Sequence, residues 1–141
     1  MSPTMSNTQS GLIAVNSTAS LSGKEGYLVV IASASSAATA AVPAAITDNA
    51  LCVVEDGAGA GEKSTLRPIF SGGSVRVKAK STGAAGVRLV NADPATAADA
   101  GKVRAIPGAS GTYAVIGIAL EDFVDGQLVN VLPVHIGNVT I

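Results

Sequence analysis

Two stretches of this chain, residues 51–69 and 116–134, present the same order of residue types. Each begins with an apolar run, continues with a Glu-Asp pair and a glycine-containing turn, and ends in a second apolar run that carries a proline. The acidic pairs are Glu55-Asp56 and Glu121-Asp122. Apolar runs of strand length on both sides of a glycine turn predict an antiparallel β-hairpin, and two copies of this pattern predict two related β-units.

The repeat extends upstream of each hairpin. The pattern Gly-x-x-Gly occurs at residues 23–26 and again at residues 83–86, and an apolar run follows each copy. We therefore place two related halves at about residues 23–70 and 83–134, within a single β-domain that spans residues 21–141.

Strand patterns recur at short spacing throughout this region. The predicted strands are Tyr27–Ala32, Leu51–Val54, Thr65–Phe70, Ser74–Ala79, Val87–Val90, Lys102–Ile106, Tyr113–Leu120 and Gln127–Val134. The clearest alternation lies in residues 75–80, where valine and alanine alternate with Arg76, Lys78 and Lys80. A period of two predicts a half-buried strand with one solvated face.

One segment predicts a short helix near residues 93–100. Asp93 can cap the first free N–H groups, Pro94 suits the first helical position, and Gly101 can end the helix. Residues 33–45 occupy the equivalent place in the first half, and their pattern leaves a loop and another short helix both open. The fold class is mainly β, as a compact barrel-like or sandwich-like domain.

Residues 1–20 are rich in serine, threonine and asparagine. This composition predicts an extended N-terminal arm outside the folded body. The arm carries one apolar group, formed by Leu12, Ile13, Ala14 and Val15. Such an arm can add a strand to an exposed sheet edge, so we expect these four residues to contact a partner.

The composition limits the size of the core and the kinds of partner. The sequence has two Phe, two Tyr and no Trp, so valine, isoleucine and leucine must supply nearly all the packing. A small domain with so few bulky side chains is expected to bury surface against copies of itself or a larger partner. Charged residues make up 13% of the chain and the net charge is −1. This balance predicts no binding to nucleic acid or to a membrane surface.

Two motifs suggest ligand chemistry at first. Residues 57–64 approach a phosphate-binding loop, but Glu62 stands where that motif requires glycine, and its carboxylate would repel a phosphate. The acidic pairs could bind a divalent cation weakly, although their matched places at strand ends favour a structural role in turns. We therefore predict no catalytic site, no cofactor and no metal site.

Single reactive residues point the same way. Cys52 lies in an apolar run, which is typical of a buried and inert thiol. His135 has no second histidine with which to bind zinc. Arg76, Lys78 and His135 are expected to lie at an interface with another copy of the chain or with a partner, although a solvated face is the simpler interpretation of the two cations.

Three stretches together resemble the decoration, or capsid-cement, proteins of tailed bacteriophages. They are residues 45–63, residues 95–103 and residues 115–131. The last contains Gly-Ile-Ala-Leu-Glu-Asp at 117–122 and Gly-Gln-Leu-Val-Asn-Val at 126–131, a closing phrase that is common in that family. The resemblance covers about residues 23–134, and residues 135–141 have no counterpart in the pattern.

The resemblance implies a non-enzymatic structural protein of the virion. It implies a β-domain on the outer surface of the capsid head, often as a homotrimer, that contacts the major capsid protein and stabilises the expanded shell. Residues 2–20 match the family's capsid-binding arm by position. An alternative from another class is a carbohydrate- or surface-binding β-module similar to an adhesin, and it would need exposed aromatic side chains.

Overall fold

A computed structural model describes residues 11–34 and 36–141, which form strands and turns and no helix. The strands are β1 Ile13–Ser17, β2 Leu28–Ala34, β3 Ala37–Ala41, β4 Cys52–Asp56, β5 Lys63–Pro68, β6 Val75–Lys78, β7 Arg88–Asn91, β8 Val103–Ala105, β9 Thr112–Ala119, β10 Leu128–Pro133 and β11 Asn138–Thr140. The mainly β, barrel-like fold predicted from the sequence is confirmed, and each predicted strand overlaps an observed one.

The first five strands close into a barrel, the first unit. Its strand order is β1-β3-β2-β4-β5, and β1 closes it by pairing antiparallel with β5 and parallel with β3. The second unit is a sheet of order β6-β10-β9-β7-β8, to which β11 adds beside β9. A parallel bridge between Ala79 and Val103 links the two edges of this sheet. The second unit therefore curls in the same way as the first.

The two units repeat one topology strand for strand, with β6–β10 in the places of β1–β5. Four residue pairs of the first unit show this correspondence. Ile13↔Leu66 corresponds to Val75↔Val131, and Ile31↔Ala40 corresponds to Asn91↔Val103. Leu28↔Val53 corresponds to Arg88↔Ile118, and Cys52↔Pro68 corresponds to Gly117↔Pro133. Backbone hydrogen bonds repeat as well: the N–H of Gly26 donates to Val54, as that of Gly86 donates to Ala119. The repeat in the structure thus begins at β1, upstream of the repeat in the sequence.

The Glu-Asp pairs are displaced by one position within this repeat. Counted along the chain from the equivalent residues Val54 and Ala119, Leu120 stands in the place of Glu55, and Glu121 stands in the place of Asp56. A β-bulge between Val54 and Asp56 interrupts the first hairpin. An extra residue in one strand bends it and re-aims the side chains that follow, so the two acidic pairs lie at the same end of their hairpins with different surroundings.

Apolar side chains fill each unit and the contact between the units. Within the barrel, Leu21, Val29, Cys52, Val54 and Leu66 form one buried cluster. A larger cluster joins residues of both units, for example Leu28, Val53 and Ile69 of the first unit with Val75, Val77 and Val131 of the second. The units therefore share one hydrophobic core at their contact.

The short helix predicted near residues 93–100 is wrong, because these residues form successive turns. The Asp93 carboxylate accepts a hydrogen bond from the N–H of Ala95, and the carbonyls of Asp93, Thr96 and Asp99 each accept from the residue three positions ahead. A helix of two turns has little stability of its own. Here Asp99 pairs with Lys80 and Lys102, and these ion pairs hold the segment against the second unit.

Residues 33–45, left open between loop and helix, contain β3. Residues 13–17 of the segment expected to form an arm are β1, a strand of the closed barrel. Residues 1–10 lie outside the described part of the chain.

Candidate interaction surfaces

The second unit presents a broad sheet surface, which we call the outer face. Because paired residues of adjacent strands point to the same side, the register brings side chains of four strands together there. They are Arg76 and Lys78 of β6, Leu128, Asn130 and Leu132 of β10, Ile118 of β9 with Leu120 after it, and Arg88 of β7. All of them are exposed or half-buried. The outer face is therefore an apolar surface bordered by cations.

The alternation predicted for residues 75–80 is observed in β6. Val75, Val77 and Ala79 are buried, Arg76 is exposed and Lys78 is half-buried. Lys80 leaves this group, because its ammonium lies 3.5 Å from Asp99 and 3.8 Å from Asp125. The basic stripe of the sequence is thus reduced to two cations on the outer face.

A cleft of about 360 Å³ lies between the two units. Glu25, Glu55 and Arg67 line it from the first unit, and Arg76 and Leu128 line it from the second. The Nε of Arg67 donates to Oε1 of Glu55 over 2.6 Å, and both side chains are partly exposed. Arg76 and Leu128 belong to both the cleft and the outer face, so the two surfaces are continuous.

His135 lies elsewhere. It follows the end of β10 that is remote from Leu128 and Lys78, and its ring meets the ring of Phe70 edge to face at a centroid distance of 5.8 Å. His135 and Phe70 are both exposed. The structure therefore separates His135 from Arg76 and Lys78.

The four apolar residues predicted to contact a capsid lie at the start of β1 on the first unit. Leu12, Ile13 and Ala14 are exposed, whereas Val15 is half-buried and packs against the barrel core. Main-chain groups of Ile13, Ala14 and Val15 pair with β5. Leu12 and Ile13 are thus the apolar side chains of this group that remain accessible.

Hydrogen bonds give most of the acidic side chains structural partners. Glu55 pairs with Arg67, Oε1 of Glu121 accepts from the N–H of Asn130, and Oδ1 of Asp122 accepts from the N–H of Ala85. In the described residues, no group of three or more histidine, cysteine, aspartate or glutamate side chains is placed to hold a metal ion.

The loop that approaches a phosphate-binding motif packs against the barrel at its two ends, and residues 60–63 between them are exposed. Ser64 is buried, its Oγ accepts from the N–H of Ala58, and it forms a hydrogen bond with the hydroxyl of Ser17. A side chain at Gly57 would collide with the carbonyl of Leu21. The glycine therefore allows close chain packing, and the serine hydroxyl is already engaged.

Cys52 is buried in the barrel core, as predicted. Its burial raises the pKa of the thiol because the thiolate would lose its hydration. The neutral thiol is therefore the favoured form, and it packs as a small apolar side chain.

Aromatic side chains do not form a platform on the described surface. Tyr113 and Phe123 are buried, and the ammonium of Lys24 lies 4.9 Å from the ring centre of Tyr27. Phe70 is exposed. A sugar-binding site built on several aromatic faces is therefore not formed by these residues.

In residues 11–34 and 36–141, no helix is long and apolar enough to cross a membrane.

No protein-family model matches the sequence. A search of curated proteins also finds no match. Among solved structures, the chain is similar to the crystal structure of the N base of the head fibre protein gp8.5 of bacteriophage phi29. The TM-score is 0.66 at 16% sequence identity, over 87% of this chain and 92% of that chain.

The chain therefore shares the fold of that head fibre base. The similarity covers both units, since it extends over most of the chain. It agrees with the resemblance to phage head proteins that the sequence motifs suggested, and it rests on chain geometry because few residues are identical.

The apolar members of the outer face are residues that the sequence analysis missed. Ile118 and Leu120 belong to the predicted strand Tyr113–Leu120, whose apolar run does not show which of its side chains are exposed. The signal that could have found them is the repeat itself: counted from the equivalent residues Val54 and Ala119, Leu120 stands in the place of Glu55, and Leu132 stands in the place of Arg67.

Proposed function

We propose that this protein is a structural component of a phage virion that binds the outer surface of the capsid head. There it contacts the major capsid protein and cements neighbouring capsid subunits. The observation that carries the proposal is the similarity of nearly the whole chain to the base of a phage head fibre.

The surface chemistry supports a role in protein contact. The outer face combines apolar side chains with Arg76, Lys78 and Arg88, and arginine beside apolar groups is typical of protein interfaces. Arg76 and Lys78 are therefore proposed to meet an acidic patch of the capsid. Leu12 and Ile13 form a second accessible apolar group on the first unit.

A shell displays many copies of each binding site. A decoration protein that is itself a homotrimer would engage several sites at once, so weak individual contacts would give strong attachment. We therefore propose a homotrimer as the attached form, with neither nucleic acid nor membrane as a partner.

Binding to expanded heads that lack decoration tests this function. The purified protein should sediment with the heads up to a saturating copy number and should raise the temperature at which they release DNA. Replacing Arg76 and Lys78 with alanine should weaken attachment about tenfold or more, since each charged contact to a protein partner typically contributes about 1 kcal/mol or more. Lys63→Ala, an exposed cation on the first unit, is the matched control and should bind normally.

The absence of saturable binding and of any gain in head stability would refute the capsid-cement function. Equal weakening by Lys63→Ala and by the paired substitution would show that attachment depends on total charge and does not use the outer face.

A further inference from the structure

The contact between the two units is asymmetric. The second unit uses β6 and the turn at Gly101, and the first unit uses the surface around Gly26, β2 and β4. The N–H of Lys78 donates to the carbonyl of Gly26 over 2.8 Å, and the N–H of Leu28 donates to the carbonyl of Gly101 over 2.6 Å. One side of the repeat is thus packed against the other side of the next copy, which is a head-to-tail arrangement.

The surface of the first unit that is covered in this contact has a counterpart on the second unit that is open. Gly26 and Gly86 are equivalent and have nearly the same φ, 85° and 86°. A side chain on Gly26 would collide with Leu128, whereas no atom of the described residues lies within 4 Å of the corresponding position on Gly86. Likewise Leu28 is buried and its counterpart Arg88 is exposed. The outer face is therefore the uncovered copy of an established interface.

This uncovered copy is more apolar than the covered one beside the cleft. The places of the Glu55–Arg67 ion pair are taken by Leu120 and Leu132, whose exposures are 46% and 44%. Ile118 lies directly opposite Leu132 in the ladder. Adjacent exposed apolar side chains on one sheet face mark a surface that a partner covers.

Within residues 11–34 and 36–141, the complementary surface of the first unit is exposed. Val75 of β6 is 3% exposed where the units meet, and its counterpart on β1, Ile13, is 40% exposed. Leu12 beside it is also exposed. One chain therefore carries both halves of a second, unused contact: the outer face on the second unit and the β1 side of the first unit.

We propose that a second copy of this chain covers the part of the outer face formed by Arg88, Ile118, Leu120 and Leu132, and that Arg76 and Lys78 at its β6 border stay accessible to a capsid. The β1 side of one copy, with Leu12 and Ile13, packs on Ile118, Leu120 and Leu132 of the next, and the contact between copies follows the contact between units. Such a head-to-tail contact closes into a ring when the rotation between neighbours divides a full turn. The proposal concerns the protein in solution and does not depend on attachment to a capsid.

The interface is tested by placing the residue types of the Glu55–Arg67 ion pair at the equivalent positions of the second unit, Leu120 and Leu132. The purified full chain should show a mass above that of the monomer in sedimentation equilibrium. The double substitution Leu120→Glu and Leu132→Arg should raise the dissociation constant about a hundredfold or more, because two leucines leave a buried contact. Ile136→Ala removes another exposed apolar side chain and should leave the mass unchanged.

Cysteine cross-linking tests the pairing of surfaces and does not require the double variant to fold. Ile13→Cys and Leu132→Cys are prepared separately and mixed under oxidising conditions, with buried Cys52 left in place. A disulfide should form between the two variants when mixed and should be scarce in either variant alone. Ser110→Cys, at another exposed position, should not cross-link to Ile13→Cys.

Three results would overturn the proposal. The first is a monomer at every concentration up to the solubility limit. The second is an oligomer that neither responds to the double substitution nor cross-links in the mixture. The third is efficient cross-linking of Leu132→Cys to itself, which would show a two-fold contact. A monomer that nevertheless binds heads would refute self-association while leaving the capsid function intact.

Discussion

Equivalent positions of the two units exchange large and small side chains. Leu21 and Ala58 meet through a backbone hydrogen bond in the first unit, and Gly83 and Phe123 meet through the corresponding bond in the second. In the first unit the large residue is Leu21, in the connection that follows β1, and in the second unit it is Phe123, in the connection that follows β9. The total volume is therefore similar while each pair has its own shape, as close packing requires.

This exchange makes Gly83 intolerant of a side chain. In Gly83→Ala the new methyl group would collide with the Phe123 ring, so we expect the free energy of unfolding to fall by about 1–3 kcal/mol. Phe123→Leu should therefore cost less in the Gly83→Ala background than in the wild type. Chemical denaturation of the four proteins measures both effects.

Gly108→Ala is the control for this cycle, because no atom of the described residues lies within 4 Å of a side chain added there. It should change stability by no more than about 0.5 kcal/mol. Additive effects of Gly83→Ala and Phe123→Leu would contradict the packing argument.

A buried polar pair shows the same freedom in another form. Ser17 and Ser64 share a hydrogen bond inside the first unit, and their counterparts in the second unit are Ala79 and Val129. Both arrangements leave no hydroxyl of these residues without a partner in the interior, since the two serine hydroxyls bond to each other and the apolar pair has no hydrogen-bonding side-chain group. Because Ser17 makes β1 more polar, the sequence of this strand did not indicate that it belongs to the barrel.

At the scale of elements, strands with strong alternation or long apolar runs were predictable, and strands defined by their neighbours were not. The alternation of valines and cations predicts β6, and a long apolar run predicts β9. β3 consists of alanines around Thr39, which carry no strand signal, and its pairing with β1 and β2 decides its conformation. Context of this kind commonly outweighs intrinsic strand propensity.

The candidate surface was predictable to a similar extent. Arg76 and Lys78 were identified from alternation alone, because a period of two separates the faces of a strand. Leu120 and Leu132 required the ladder register, since an apolar residue in an apolar strand gives no sign of which face is covered. His135 could not be placed, because nothing local determines what meets a strand end.

The barrel depends on β1 for closure. Removing residues 2–17 would expose the edges of β3 and β5. It would also uncover Leu66 and the other barrel-core residues against which Val15 packs. We therefore expect this deletion to abolish cooperative thermal unfolding followed by circular dichroism, whereas an arm outside the folded body could be removed without this loss. Removing residues 2–10 keeps β1 and is the matched control. A cooperative transition retained by the longer deletion would show that the other four strands of the barrel fold without β1.

At the scale of the whole molecule, the two units share a core in a way that links their stability. Leu28 is buried where they meet, and it packs in the cluster that also contains Val75 and Val77. Neither unit can therefore unfold without uncovering apolar surface on the other. Such coupling predicts one cooperative transition for the whole chain, although the repeat could suggest two independent folding units.

Leu28→Ala tests this coupling. Loss of a fully buried leucine should lower the free energy of unfolding by about 2–5 kcal/mol, and scanning calorimetry should show one transition, at a lower temperature, whose calorimetric and van't Hoff enthalpies agree. Ile136→Ala, an exposed position on the second unit, should leave that transition in place. Two resolved transitions, with only the first unit's shifted by Leu28→Ala, would show instead that each unit is stable alone and that the shared cluster adds contact without cooperativity.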